Sequence, residues 1–172
     1  MKRQSGFTLI ELLITIAILV TVTGIAIPAF GTWLPNYRLK AAAMDIYSNF
    51  QRAKMQAIRR NEGVVIVFDV GNDSYEVFAD NGAGGGTAED DIRNGTEPLL
   101  AQVSMPENVE IDDANFSLGS SAPGFTSRGL PWKSRFGNVE IKNNKDRHYR
   151  VKLSIAGNLN IEVSHDGGAT WK

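Results

Sequence analysis

A chain of 172 residues with 42% hydrophobic content has room for one modest domain plus a membrane segment, and its net charge of -1 excludes a disordered tail or a broadly basic nucleic-acid binder. The absence of cysteine excludes thiol catalysis, a CxxC redox site and cysteine-ligated zinc, yet permits an extracytoplasmic domain whose core is adequate. With His148 and His165 the only histidines, a histidine-rich metal site is excluded as well.

The chain starts with a short basic and polar stretch, Met1-Lys2-Arg3-Gln4-Ser5-Gly6, followed by Phe7-Thr8-Leu9-Ile10-Glu11 and an apolar run that continues to Phe30. From Leu12 to Phe30, roughly 19 residues would make a helix of about 28 Å, enough to cross the hydrocarbon core of a bilayer. Lys2 and Arg3 precede this span and no basic residue follows it closely, so the leader is expected to stay in the cytoplasm while the rest is exported. Ala26-Ile27-Pro28-Ala29 is a poor version of a secretory cleavage site. Glu11 is the anomaly. A carboxylate inside a membrane helix costs about 2.5–3.5 kcal/mol, which marks it as a functional residue unless it snorkels to the cytoplasmic interface.

Gly6-Phe7-Thr8-Leu9-Ile10-Glu11 resembles the processing site of type IV prepilins and type II secretion pseudopilins. The resemblance implies that a prepilin peptidase cuts between Gly6 and Phe7 and methylates the new amine of Phe7. It also implies that Glu11 pairs with the N-terminal amine of a neighbouring subunit during assembly. Neutralising a buried carboxylate with a neighbour's ammonium favours the register in which both are paired. Pro28 removes a backbone hydrogen bond from the helix. In this family such a proline allows the preceding turn to melt when subunits pack, and Gly24 lowers the cost; a simple kink at the membrane exit is the alternative. Trp33 and Tyr37 sit where an interfacial aromatic belt is expected, and Pro35 interrupts the usual helix pattern.

Past Pro35, Leu39, Ala42, Ala43, Ile46, Phe50, Ala53, Ala57 and Ile58 recur at steps of three and four, predicting an amphipathic helix. Arg38, Lys40, Arg52, Lys54, Arg59 and Arg60 mark its opposite, solvated face. Asn61-Glu62-Gly63 is expected to end it, with basic residues in the last turn and a glycine just after. Val64 to Phe68 reads as a buried strand, Gly71-Asn72-Asp73-Ser74 as a turn, and Tyr75 to Phe78 as the hairpin partner. Further strands are predicted at Val109 to Ile111, Asn138 to Ile141, Tyr149 to Ile155 and Leu159 to Ser164. The expected fold is α+β: a long N-terminal helix, half membrane and half amphipathic, packed on a small antiparallel β-sheet or β-sandwich domain. The expected boundaries are a leader at 1–6, a transmembrane and assembly helix at 7–30, the amphipathic half at 31–62 and a β-rich globular domain at 63–172.

This order is similar to the GspH/FimT branch of minor pilins and pseudopilins. The residues that carry the likeness are Ala57-Ile58-Arg59-Arg60-Asn61, Tyr75 to Asp80, Phe125-Thr126-Ser127-Arg128-Gly129, and Arg150 to Ser164 with Gly157 in the last hairpin. The resemblance implies a structural subunit that helps initiate or cap a type IV pilus or a secretion pseudopilus. Its partners would be other pilin or pseudopilin subunits, the prepilin peptidase and inner-membrane lipid. A single pass through the inner membrane would leave the C-terminal domain in the periplasm or in an extracellular filament.

Charge is distributed unevenly along the chain. Residues 69–113 carry about -11, with Arg93 their only base, and residues 128–152 about +6. Oriented docking between neighbours and mutual pairing within the fold both explain this. Within the acidic stretch, Asp80, Asn81, Asp90 and Asp91 flank the glycines 82–86 and offer oxygen ligands to calcium, against the alternative of a solvated mobile loop. Within the basic stretch, Lys142, Lys145, Arg147, Arg150 and Lys152 offer phosphate contacts, so a competence-type minor pilin that binds DNA is the alternative function. The arginine-rich motif of DNA-binding relatives is replaced here by Gly157-Asn158-Leu159-Asn160, and Tyr149 is the main stacking candidate. Ser164-His165-Asp166-Gly167-Gly168-Ala169-Thr170-Trp171 resembles the Asp-box hairpin of sialidase-type propellers but occurs once, as a turn. No GxSxG, Walker loop or HExxH is present, so no enzymatic function and no resident cofactor is expected beyond the calcium option.

Overall fold

The computed structural model describes residues 7–172. The chain divides into two compact units, one ending at Leu34 and the other running Pro35–Lys172. Helix α1 spans Leu9–Arg60 and includes the positions of Pro28 and Pro35. In the first unit, Leu9–Ile27 is a run of 19 residues long and apolar enough to cross a membrane, with none of it buried. The hydroxyls of Thr15, Thr21 and Thr23 donate to the carbonyls of Leu12, Ala17 and Leu19 at 2.8, 2.8 and 2.6 Å. These threonines therefore satisfy their own polar valence within the helix, as an apolar solvent demands.

The second unit contains the C-terminal half of α1 and eight strands: β1 (Val64–Asp69), β2 (Ser74–Ala79), β3 (Leu99–Ser104), β4 (Val109–Phe116), β5 (Gly124–Phe125), β6 (Gly137–Asn143), β7 (His148–Leu153) and β8 (Leu159–Ser164). They form two antiparallel four-stranded sheets, ordered β3-β2-β1-β5 and β4-β6-β7-β8. The α+β expectation is met, and the β-domain consists of two small sheets.

Leu39, Ala43, Ile46, Phe50, Ala53 and Ala57 are buried at helical spacing, as their periodicity predicts. Ile58 departs from that stripe. It is half exposed and lies next to the backbone of Gly129. The centre of the core is aromatic: Phe50 packs on Phe68 at 6.0 Å, on Phe125 at 6.3 Å and on Phe116 at 6.4 Å between ring centroids. Phe68 and Phe125 belong to the first sheet and Phe116 to the second, so one helical side chain touches both. Tyr75 stacks against Phe68 in the same cluster, and its hydroxyl accepts from Asn49 at 2.7 Å. Burial pushes the Tyr75 hydroxyl up to about 12.

The helix ends at Arg60, directly before Asn61-Glu62-Gly63 as the sequence predicts, but the residue that turns the chain is the asparagine and not the glycine. Asn61 takes the left-handed conformation (φ 56°), and the Glu62 amide closes onto the Ala57 carbonyl at 3.2 Å, a Schellman-type cap. Gly63 is required for another reason. A Cβ there would lie 2.3 Å from the ring of Trp132, which packs with Val65, Phe78 and Ala122 on the other side of the first sheet. The basic face of the helix is also not wholly solvated, because Lys54 is half buried and donates to the Gly157 carbonyl at 3.0 Å.

Strands β1, β2, β6, β7 and β8 fall where the sequence predicts them. β4 extends past Ile111 to Phe116 through a register irregularity between Ile111 and Asp113. β3 and β5 are not predicted from sequence. β3 is an edge strand without a buried residue, and β5 is two residues long, held where the backbone of Gly124 approaches β1.

Candidate functional site

At the N-terminus, Gly6 lies outside the described residues, and the described chain begins with the exposed Phe7. Thr8 precedes the first helical residue and Glu11 follows three positions later, the spacing of a capping box. The Glu11 amide donates to the Thr8 hydroxyl oxygen at 3.3 Å. The Glu11 carboxylate accepts in turn from the Thr8 amide and hydroxyl, each at 3.4 Å. These long contacts sit on an exposed helix whose span carries no other charge. The T-x-x-E spacing that produces them is readable in the sequence, inside the glycine-to-glutamate motif. Pro28 lies within α1 in this same unit. Phe30 and Trp33 meet edge to face at 6.1 Å, consistent with an aromatic pair at the end of the apolar span.

The glycine-rich loop is organised by its own acids. Asp80 is buried, and its two carboxylate oxygens accept from the amides of Glu89 at 2.6 Å and Asp91 at 2.9 Å. Burial pushes the Asp80 carboxyl up; these two amides oppose the shift, and the nearby Glu97 and Asp90 reinforce it. Asn81 donates to Glu62 at 3.0 Å, and Asp90 accepts from the Ile92 amide and from Asn94. Asp91 faces away from Asp80, toward Trp132 Nε1 at 2.7 Å, Arg135 at 2.7 Å and Lys133 at 3.0 Å. Burial raises the Asp91 carboxyl, but its bonds to Arg135, Trp132 and Lys133 outweigh that and hold it below the usual range. The four residues read as calcium ligands thus have oxygens engaged by donors of the protein itself. Among the described residues, the acidic and histidine side chains that converge within 4.8 Å of one another are Asp112, Glu140 and His148, on the second sheet.

The basic segment is compensated in the same way. Lys142 is paired with Asp112, Arg150 with Glu162, and Lys152 with Glu162 at 3.3 Å. Arg150 also lies 4.1 Å from the ring centroid of Trp171, so the indole covers this cation on the outer surface of the sheet. Arg147 approaches His165 Nε2 at 3.5 Å, and Lys145 projects from the β6–β7 turn into solvent. Asp91–Arg135 and Lys142–Asp112 join the acidic stretch to the basic one, whereas Arg150 and Lys152 pair with Glu162 outside both. The Asp-box segment is a turn: Asp166 accepts from the Thr170 amide at 2.9 Å, and Gly168 donates to the Ser164 hydroxyl oxygen at 2.9 Å.

Comparison with known proteins covers both units. Residues 1–27 match the model of the prokaryotic N-terminal methylation motif, and residues 42–157 match that of type II transport protein GspH. The pilin-like protein PilA1 of Thermus thermophilus is 32% identical over 132 residues, which is 76% of this chain and 81% of that protein. A fimbrial protein of Pseudomonas aeruginosa is 25% identical over 147 residues, 79% of this chain and 95% of its own length. In fold, the chain is similar to the minor pseudopilin EpsH of the Vibrio cholerae type 2 secretion system, with a TM-score of 0.53, 18% identity and coverage of 72% of this chain and 95% of that one. It is similar as well to the type IV minor pilin FimU of Pseudomonas aeruginosa, with a TM-score of 0.56, 13% identity and coverage of 77% and 96%.

Proposed function

Since the chain belongs to the type II transport protein GspH family, we propose that it is a minor pilin or pseudopilin, a structural subunit that helps initiate or cap a type IV pilus or secretion pseudopilus. The prepilin peptidase cuts between Gly6 and Phe7 and methylates Phe7. The apolar half of α1 holds the subunit in the inner membrane until assembly, with the β-domain on the far side. Glu11 then selects the register by accepting the Phe7 ammonium of an adjacent subunit, and Pro28 lets the helix adjust as subunits pack.

One observation carries this reading. Glu11 is the only charge on an exposed apolar span, and among the described residues its own chain offers the carboxylate nothing better than two 3.4 Å contacts to Thr8. The threonines of the same span are fully satisfied by helix carbonyls. A partner that supplies an ammonium therefore gains a charge-assisted bond in a medium where such bonds are strong. The test is mass spectrometry of the protein recovered from sheared filaments or pseudopili. A mature chain starting at methylated Phe7 is expected; a chain that keeps the basic hexapeptide, or starts after Ala26, overturns the reading.

A further inference from the structure

We propose that Asp112, Glu140 and His148 form a binding site for one divalent first-row transition-metal cation, zinc before the others, which joins three adjacent strands of the second sheet. The three residues come from β4, β6 and β7, and one potential ligand atom from each lies within 4.8 Å of the other two. Asp112 occupies the register irregularity between Ile111 and Asp113, Glu140 pairs across the sheet with Asp113 and Arg150, and His148 pairs with Lys142 and Ser164. Backbone pairing therefore fixes all three side chains on one surface.

The acids alone would mean little, and the independent observation is the imidazole. His148 is 7% exposed, and its Nδ1 is buried with no hydrogen-bond partner. Asp112 Oδ2 lies 3.9 Å away, too far for a hydrogen bond and close to the separation of two ligands around one ion. An unpaired buried nitrogen costs about 1–3 kcal/mol; a metal would remove that cost. Metal–ligand bonds of about 2.0–2.2 Å put ligand atoms at most about 4.4 Å apart, so small side-chain rotations close the site. On the side of the C-terminal turn, a Cβ built at Gly168 would lie 3.8 Å from Nδ1, no closer than ordinary van der Waals contact.

The surrounding charges suit a cation. Lys142 binds the other oxygen of Asp112, Oδ1, and Asn138 holds Glu140 Oε1 at 2.9 Å, which orients both carboxylates. Arg150 comes no nearer to Glu140 than 3.9 Å and is engaged by Glu162. Burial pushes the Glu140 carboxyl up; Arg150 opposes this, and Asp113 and Asp112 add to it. One imidazole nitrogen with two carboxylates matches zinc or a neighbouring first-row metal, whereas calcium needs six to eight oxygens.

Isothermal titration of the full chain in detergent micelles, stripped with EDTA, tests the site with zinc chloride and calcium chloride as probes. Saturable binding of one zinc per chain is expected, with no saturable heat from calcium. Asp112→Asn and His148→Gln should each weaken zinc at least about tenfold, while His165→Gln leaves it unchanged. Nitrogen-15 NMR of the wild-type protein should move the His148 Nδ1 resonance on zinc addition. That readout, and the exposed Asp112 variant, do not depend on whether His148→Gln folds. Absence of saturable zinc binding, an unmoved His148 resonance, or wild-type affinity in a folded Asp112→Asn or His148→Gln protein overturns the proposal.

Discussion

The carboxylate of Glu11 folds back to the amide of Thr8, three residues earlier, at 3.4 Å. In a lone chain this contact caps the first turn of α1. Under the proposed assembly role the same oxygens would go to a stronger donor, and Glu11 would exchange a weak local partner for a charged intermolecular one. Loss of the carboxylate should then affect association far more than folding. Glu11→Ala is expected to reduce the subunit's recovery in sheared filaments at least about tenfold, the effect of 1.4 kcal/mol or more, while its level in the membrane fraction stays near wild type. Recovery equal to wild type would remove the assembly role. Thr8→Ala, which breaks the cap and keeps the acid, should assemble.

Asp91 ties the glycine-rich loop to Trp132, Lys133 and Arg135, and its carboxyl is held below the ordinary carboxylate value. A depressed carboxylate contributes stability above its unfolded value of about 4, and that contribution fades as pH falls through the lower folded value. Asp91→Asn keeps a residue tolerant of the positive φ of 65° found there. It should cost about 1.5–3 kcal/mol at neutral pH in urea unfolding. The gap between the two proteins should narrow below about pH 4. A gap that stays constant down to pH 3 would mean that the charge is not what holds the loop.

Gly124 marks the closest approach of β5 to β1: a Cβ there would lie 2.3 Å from the Val64 carbonyl oxygen and 2.9 Å from Val65 Cα. Both are backbone atoms in the centre of the sheet, with little room to retreat. Gly124→Ala is expected to destabilise by about 1–3 kcal/mol, whereas Gly71→Ala, where the nearest atom is 3.5 Å away, should stay within about 0.5 kcal/mol of wild type. Equal thermal midpoints for the two variants would contradict this account of β5.

Within the basic segment, Lys142, Arg150 and Lys152 already face Asp112 and Glu162, which leaves Lys145 and Arg147 to displace counterions from a phosphate backbone. Gel shifts of the full chain with duplex DNA should therefore show no binding tighter than about 10⁻⁴ M at physiological salt. A retarded band whose intensity falls steeply with added salt would restore the DNA-capture alternative.

The parts of the molecule that were legible in sequence are those whose cause lies in neighbouring residues. The processing motif, the apolar span, the helical stripe from Leu39 to Ala57 and the β-branched strand Val64 to Phe68 are all of this kind. β3 escaped because an edge strand buries little and Leu99-Leu100-Ala101-Gln102-Val103-Ser104 does not alternate. The second half of β4 escaped because Asp112, Asp113 and Asn115 resemble loop residues until β6 provides their partners. The engagement of the loop acids is not legible in sequence because the donors that bind Asp91 lie about forty residues further along. The same limit hid the Asp112–Glu140–His148 group, whose members only the register of three strands brings together.

Phe50 has one further consequence. Its ring touches both sheets at once, meeting Phe68 and Phe125 of the first and Phe116 of the second, while Phe68 and Phe116 stack on each other at 6.3 Å. Neither sheet can come apart without opening a cavity beside its neighbour, so the Pro35–Lys172 unit has no inexpensive half-melted state. Heating should carry it through a single transition in which calorimetric and van't Hoff enthalpies agree, and a pulling force applied to that unit would be resisted by all of it as one mechanical block.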